Sequence, residues 1–205
     1  MIKSILSNKK IKQSIIAVLL LALIFFIFYC RWQHSNTTDH FFRHNLQVFE
    51  AQRTSVDLII ARLDHSINHI LDSDRKVTQE EHLYVLRQIE LLNYFVQQML
   101  WGMSQFFINL EPVRNLNLDV YVGSKTAINL RIIVDYNEIN DIQFYNGLKA
   151  LISSIQEIHE RHPIYSMLIE NQSTMIQLDK WLGFYNEYIS NIQIWENMIM
   201  DILNL

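Results

Sequence analysis

The stretch that decides the fold is LDKWLGFYNEYISNIQIWENMIMDI, residues Leu178–Ile202. Its apolar residues recur at alternating steps of three and four, which places their side chains along one face of an α-helix. These residues are Leu178, Trp181, Tyr185, Tyr188, Ile192, Trp195, Ile199 and Ile202. Five charged residues lie among them, so the stretch is predicted to be an amphipathic helix and not a membrane-crossing one.

The same spacing recurs in three earlier stretches. One set begins at Phe42 and includes Arg53, a second begins at Leu86 and includes Asn93, and a third covers 144–158. A polar residue in such a seam either fixes register and partner number or lies at the seam edge with its polar end in water. The chain has only four Gly and two Pro in 205 residues. Because turns depend on these residues, the composition favours few, long helices. We predict an all-α, or mainly α, fold built as an antiparallel, coiled-coil-like bundle of about four long helices.

Helix boundaries are indicated at four places. Ser35–Asp39 is predicted to be a polar link before the first bundle helix, and residues 72–77 a tight connection to the second. Thr78 and Glu81 have the spacing of a capping box, which begins a helix. Glu111–Pro112 is predicted to end it, because the residue before a proline is disfavoured in helical conformation.

Residues 116–135 support two interpretations. Their apolar residues alternate with other residues on both sides of Gly123, which predicts a β-hairpin. A different subset keeps the steps of three and four that predict a helix. Both alternatives stay open on the sequence alone.

A second decisive stretch is Ser14–Cys30, SIIAVLLLALIFFIFYC, which carries no charge. Its length suits a transmembrane helix, and Trp32 suits the membrane interface. No small-x-small cleavage site ends the apolar run, so we expect an uncleaved signal-anchor. Four lysines precede the run, which predicts a cytoplasmic tail at 1–13, an anchor at 14–32 and an extracytoplasmic helical domain at 33–205. The predicted location is the inner (plasma) membrane of a bacterium, as a single-pass protein.

The charge of the chain limits its partners. All 21 acidic residues and 13 of the 17 Lys and Arg follow residue 30, so residues 31–205 carry a formal net charge of −8. Nucleic acid is not expected as a partner, because phosphate binding needs clustered basic residues. The single cysteine, Cys30, excludes an internal disulfide.

Two groups of residues could bind a ligand or partner. His65 and His69 lie one helical turn apart, with Asp72 about one turn further on, which makes them a weak candidate for a metal site. An aromatic stripe on the last helix could line a ligand pocket or meet a partner, although such stripes more often form packed core. It consists of Trp181, Tyr185, Tyr188 and Trp195.

No catalytic or phosphate-binding motif is present, so neither an enzyme nor a cofactor is expected. The pattern favours a membrane-anchored interaction or scaffold component of an envelope or secretion assembly, whose partners are the membrane and other envelope proteins or further copies of itself. The alternative is a periplasmic four-helix sensor domain that binds a small ligand and works with a separate signalling partner.

Overall fold

The computed structural model describes residues 9–73, 75–114, 130–136, 138–139, 141–163 and 174–203, with side chains from Val18 onward apart from those of 34–38 and 111–114. Its helices are α1 (Lys9–Leu71), α2 (Gln79–Arg114), α3 (Arg131–Val134), α4 (Ile142–Arg161) and α5 (Thr174–Ile202). The described residues contain no strand. The predicted mainly α fold, arranged as a helical bundle, is therefore confirmed.

The chain divides into two compact units, residues 1–44 and residues 45–205. The first unit contains the predicted anchor at 14–32, of which the side chains of 14–17 lie outside the described set. Across the described part of the chain, no helix has both the length and the apolar character needed to cross a membrane. The predicted transmembrane helix is thus not supported by the structure.

The predicted polar link at Ser35–Asp39 is wrong, because α1 continues through it without a break. A side-chain contact at the end of this stretch suits a helix. Nε of Arg43 donates a hydrogen bond to the carboxylate of Asp39, one turn earlier, over 2.7 Å. Residues that favour caps and turns cost at most about 0.7 kcal/mol each in a helix interior relative to Ala, so propensity alone is a weak guide to where a helix ends.

The core of the second unit follows the predicted seams. All eight apolar residues that define α5 are at most 7% exposed. The seams of α1, α2 and α4 are buried in the same way, with Leu46, Val56, Leu63, Val96, Leu100, Phe107, Leu148 and Ile155 each at most 1% exposed. Burial of these faces is the main stabilising contribution, at roughly 1.5–3 kcal/mol for each large apolar side chain.

Aromatic rings join three helices at the centre of this core. The ring of Phe49 on α1 lies 5.4 Å from that of Phe106 on α2 and 5.9 Å from that of Trp181 on α5, centroid to centroid. Phe107 and Tyr185 continue the cluster with their centroids 5.5 Å apart. Edge-to-face and tilted arrangements at these separations are favourable beyond simple area burial.

The connection between α1 and α2 forms as predicted. The backbone N–H of Thr78 donates to the carboxylate of Glu81 over 2.9 Å, and the N–H of Glu81 donates to the hydroxyl of Thr78 over 3.3 Å. Arg75 donates to the same carboxylate, and its hydrogen bonds are the largest cause that lowers the pKa of Glu81 to about 2. This capping box begins α2 directly after the turn.

The alternative β-hairpin at 116–135 is wrong over residues 130–135, where the chain forms α3 and its flanking turns; residues 116–129 lie outside the described residues. Strand alternation would place Leu130 and Ile132 on one face. Instead Leu130 and Ile133 are buried, at 1% and 0% exposed, while Ile132 is 41% exposed. A helical turn packed on α2 therefore outweighs the local preference of β-branched residues for strands.

A hydrogen-bond network holds the start of α4. Asp141 is its N-cap and accepts from the backbone N–H groups of Gln143 and Phe144 over 2.9 and 3.2 Å. The hydroxyl of Tyr136 also donates to Asp141, and this hydrogen bond is the largest cause that lowers the pKa of the Asp141 carboxyl. The N-cap position relieves the free N–H groups of the first helical turn.

Candidate functional site

A buried arginine lies where α1, α4 and α5 meet. Arg53 is 1% exposed, and its Nη2 donates a hydrogen bond to the backbone carbonyl of His159 over 2.7 Å. Its guanidinium also lies over the ring of Phe184, 4.4 Å from the centroid. His159 belongs to the last turn of α4, where carbonyl groups lack helical partners and a cation is favourable. The alternative that Arg53 lies at a seam edge in water is therefore wrong.

Asp57 lies one turn after Arg53 and extends the cluster. Its carboxylate accepts a hydrogen bond from Nδ1 of His159 and lies 4.0 Å from Nε of Arg53. Burial lowers the pKa of the Arg53 guanidinium to about 10, so Arg53 stays cationic at neutral pH. Burial also lowers the pKa of His159, against the opposing effect of Asp57. At neutral pH His159 is therefore a neutral ring that donates from Nδ1.

Nε2 of His159 and the hydroxyl of Tyr188 have no hydrogen-bond partner among the described residues. His159 is 6% exposed and Tyr188 is 0% exposed, and burial raises the pKa of the Tyr188 hydroxyl. The rings of His159 and Tyr188 lie 5.6 Å apart. Buried polar groups without a hydrogen-bond partner cost stability.

A cavity of about 330 Å³ opens beside the cluster. Its lining combines charged, amide and apolar groups: Arg53, Asp57, Ile60, Ala61, Gln156, His159, Glu160 and Pro163. This volume suits a small ligand. The charged and amide side chains of its lining offer groups for polar recognition of such a ligand.

The weak metal candidates lie near the turn between α1 and α2. His65 and His69 line a cavity of about 410 Å³ that also contains Glu81, but Asp72 does not line it. Nε2 of His69 lies 3.8 Å from the Glu81 carboxylate, which already pairs with Arg75. Over the described residues, no group of three or more His, Cys, Asp or Glu side chains could hold a metal ion.

The predicted aromatic stripe on α5 lies in the core. Trp181, Tyr185, Tyr188 and Trp195 are each 0% exposed. Nε1 of Trp195 donates to the hydroxyl of Ser154 over 3.0 Å, which ties α5 to α4. Rings buried to this extent present no surface to a protein partner.

Asn93, the second polar seam residue, has a structural partner. Its side-chain oxygen accepts from the backbone N–H of Leu130 over 3.1 Å and from Nε2 of Gln97 over 3.2 Å. The amide is half-buried and joins α2 to the start of α3. Asn93 therefore positions the segment that packs on α2.

A surface that the sequence reasoning missed runs along the outward face of α2. We call it the outer stripe; it consists of Tyr84, Arg87, Leu91, Tyr94, Gln98 and Trp101, and all six are exposed. Its apolar members are 42–63% exposed. Steps of three and four separate these residues, as in a coiled-coil seam. This second periodicity, offset from the inner seam of α2, is the signal that could have revealed the stripe.

The first unit exposes a longer apolar surface. Between residues 18 and 32 of α1, twelve large apolar side chains are 48–73% exposed: Val18, Leu19, Leu20, Leu21, Leu23, Ile24, Phe25, Phe26, Ile27, Phe28, Tyr29 and Trp32. An apolar patch of this size on a protein surface marks contact with lipid or with another protein. These surfaces carry the functional argument, since comparison of the chain with protein-family models, with curated proteins and with solved structures finds no match.

Proposed function

We propose that this chain is a membrane-anchored helical protein whose second unit, residues 45–205, binds other proteins as an interaction or scaffold component of an envelope or secretion assembly. The observation that carries the proposal is the exposed outer stripe of α2. The bundle core does not use its apolar side chains, and an ordered row of exposed rings at coiled-coil spacing is typical of a helix-binding surface.

Membrane anchoring is proposed from the exposed apolar run of α1 between Val18 and Trp32. Lipid is a suitable environment for twelve exposed apolar side chains, and lysines at 9, 10 and 12 immediately precede the predicted anchor. Basic residues near a span stay on the cytoplasmic side. The proposed orientation therefore places residues 1–13 in the cytoplasm and residues 33–205 outside it.

Cysteine labelling in a bacterial host tests this orientation. In a Cys30→Ser background, Ser7→Cys and Glu157→Cys each supply one thiol, and a membrane-impermeant maleimide is added to spheroplasts. We expect Glu157→Cys to react in intact spheroplasts and Ser7→Cys to react only after lysis. Reaction of both variants only after lysis would refute the orientation, and recovery of the chain in the soluble fraction after lysis would refute the anchor.

Site-specific photo-crosslinking tests the interaction role. A benzoylphenylalanine residue replaces Trp101 in the outer stripe, and a matched control replaces Glu157, whose side chain is 68% exposed on α4. We expect discrete protein adducts from position 101 in intact membranes and none from position 157. An equal yield at the two positions, or none at either, would refute the proposal.

The cavity beside Arg53 favours a second candidate function, a periplasmic sensor domain that binds a small ligand and acts through a separate signalling partner. The groups that support it are the guanidinium of Arg53 and the carboxylate of Asp57 at one wall of the 330 Å³ cavity. Thermal unfolding of the full chain with a panel of amino acids, dicarboxylates and polyamines tests it. A compound that raises the Tm of the parent but not that of a Gln156→Leu variant would support this function, and a panel without any effect would refute it.

A further inference from the structure

We propose that the cavity beside Arg53 binds a primary alkylammonium ion, which is a positively charged amine on a short apolar chain. This inference rests on the second candidate function proposed above, the sensor domain, and names the chemical class of its ligand. The lining of the cavity supplies three features that suit such an ion: hydrogen-bond acceptors, a net negative charge and an apolar wall.

Three N–H donors of the lining are directed at acceptors that also belong to it. Nη2 of Arg53 donates to the carbonyl of His159 over 2.7 Å, and Nδ1 of His159 donates to the Asp57 carboxylate. Nε2 of Gln156 donates to the Glu160 carboxylate over 2.9 Å. Because each carboxylate or amide oxygen has two lone pairs, Asp57, Glu160 and Gln156 can accept further hydrogen bonds. The lining therefore suits a ligand that donates N–H groups.

A further acceptor of the lining is buried. His159 is 6% exposed, and burial lowers the pKa of its ring, so the ring is uncharged at neutral pH. Since Nδ1 carries the proton, Nε2 is an acceptor, and it has no hydrogen-bond partner among the described residues. A buried acceptor without a partner costs stability. An N–H donor that reaches Nε2 from the cavity would remove this cost.

The charges of the lining favour a cation. Arg53 contributes one positive charge and Asp57 and Glu160 one negative charge each, so the formal net charge of the lining is −1. The charge of Arg53 is balanced within the fold, because Asp57 lies 4.0 Å from its Nε and the ring of Phe184 lies against its guanidinium. A positively charged ligand would balance Glu160. A dicarboxylate would add negative charge to a lining that is already negative, which is unfavourable.

The basic residues that follow Glu160 are directed to another carboxylate. Arg161 donates a hydrogen bond to Glu187 on α5 over 2.7 Å, and His162 pairs with the same side chain. They therefore do not take the place of a ligand at Glu160. Residues 31–205 carry a formal net charge of −8, and a field of this sign attracts cations toward the protein.

The apolar wall distinguishes an organic cation from a metal ion. Ile60, Ala61 and Pro163 line the cavity together with the polar groups, and an alkyl chain would contact them. The volume of about 330 Å³ falls in the range of small-molecule sites. Among the described residues, no group of three or more His, Cys, Asp or Glu side chains could hold a metal ion. The lining therefore favours an amine with an apolar chain.

Isothermal titration calorimetry of the full chain, in a nonionic detergent at neutral pH, tests the ligand class. The probes are putrescine, a four-carbon chain with an ammonium group at each end, and succinate, a four-carbon chain with a carboxylate at each end. We expect putrescine to bind saturably and succinate to give no heat of binding. Saturable binding of succinate alone would overturn the ammonium class and leave the sensor function intact. The absence of binding by putrescine would overturn the proposal.

Two variants of α4 separate a site in the cavity from general attraction to an acidic protein. Glu160→Gln and Glu157→Gln each remove one negative charge, but of the two residues only Glu160 lines the cavity, and Glu157 is 68% exposed. The Kd for putrescine should rise about tenfold in Glu160→Gln, because a hydrogen bond between charged groups is lost. It should change less than about twofold in Glu157→Gln. With helicity equal by circular dichroism, a Kd for Glu160→Gln no higher than that for Glu157→Gln would overturn the site.

Discussion

The guanidinium of Arg53 and the backbone carbonyl of His159 are joined by a 2.7 Å hydrogen bond across 106 residues of chain. This bond connects the middle of α1 to the last turn of α4. The cation offsets the partial negative charge at the helix end, and its contact with the ring of Phe184 adds α5 to the same junction. One side chain therefore holds three helices of the bundle together.

Replacement of Arg53 by methionine should destabilise the bundle by about 3 kcal/mol, because it leaves the His159 carbonyl and the Asp57 carboxylate without their buried cation. Urea unfolding of the full chain, followed by circular dichroism, measures the loss. Arg62→Met is the matched control, since Arg62 lies on the same helix and is exposed. It should change the free energy of unfolding by less than about 0.5 kcal/mol. Equal effects of the two substitutions would show that the junction is not stabilising.

Stability should fall as pH falls below about 6.5 because of His159. Burial lowers the pKa of this ring in the folded chain, so the unfolded chain, with an ordinary histidine pKa near 6.5, binds the proton more tightly. The contribution is therefore fully present above about pH 6.5 and is lost as pH falls from there toward the folded pKa, with a slope of at most about 1.4 kcal/mol per pH unit.

His159→Asn tests this assignment, because the amide can donate to Asp57 from the place of Nδ1 but cannot titrate. Free energies of unfolding at pH 8, 7, 6 and 5 should show a shallower decline for the variant than for the parent. His65→Asn, at an exposed position of α1, should retain the decline of the parent. If His159→Asn retains it too, another group is responsible.

Much of the bundle could be predicted from sequence because the features that specify it involve residues that are close together in the chain. The eight apolar residues of α5 were all identified by their spacing, and each is buried. Thr78 and Glu81 are three residues apart, so their mutual hydrogen bonds could be read from the chain. The predicted helix ends were less accurate. The helix α2 continues to Arg114, past the end predicted at Glu111–Pro112. A proline by itself does not fix the last residue of a helix.

The other features depend on contacts between distant residues. The burial of Arg53 requires the carbonyl of His159, and α3 is positioned by the side chain of Asn93, 37 residues before Leu130. Neither partner could be identified without the fold. The outer stripe was overlooked for a different reason: its spacing is visible in the sequence, but only burial of the opposite face shows that Tyr94 and Trp101 point outward.

Removal of the N-cap side chain of α4 should lower the free energy of unfolding. Asp141→Ala removes the acceptor for the N–H groups of Gln143 and Phe144, and we expect a loss of about 1 kcal/mol in the free energy of unfolding. Asp141→Asn keeps a capping oxygen and should lose less. The pKa of Asp141 is lowered in the folded chain. The free energy of unfolding of the parent should therefore also fall as pH falls below about 4, and that of Asp141→Asn should fall less. Equal stability of the two variants at pH 7 would contradict the capping role.

Two glycines in helices should respond in opposite directions to the same substitution. A Cβ atom at Gly147 on α4 would lie 2.6 Å from Cγ1 of Ile202. For a Cβ atom at Gly183 on α5, the nearest atom among the described residues is Cε1 of His162, at 3.9 Å. Alanine in place of glycine favours a helix by about 1 kcal/mol, and overpacking costs about 1–3 kcal/mol. Gly183→Ala should therefore stabilise the chain by about 0.5–1 kcal/mol, and Gly147→Ala should destabilise it by about 1 kcal/mol.

In an Ile202→Ala background, where the clash is removed, Gly147→Ala should become neutral or stabilising. Destabilisation that persists in this background would show that α4 and α5 do not approach as closely at Gly147 as the structure indicates.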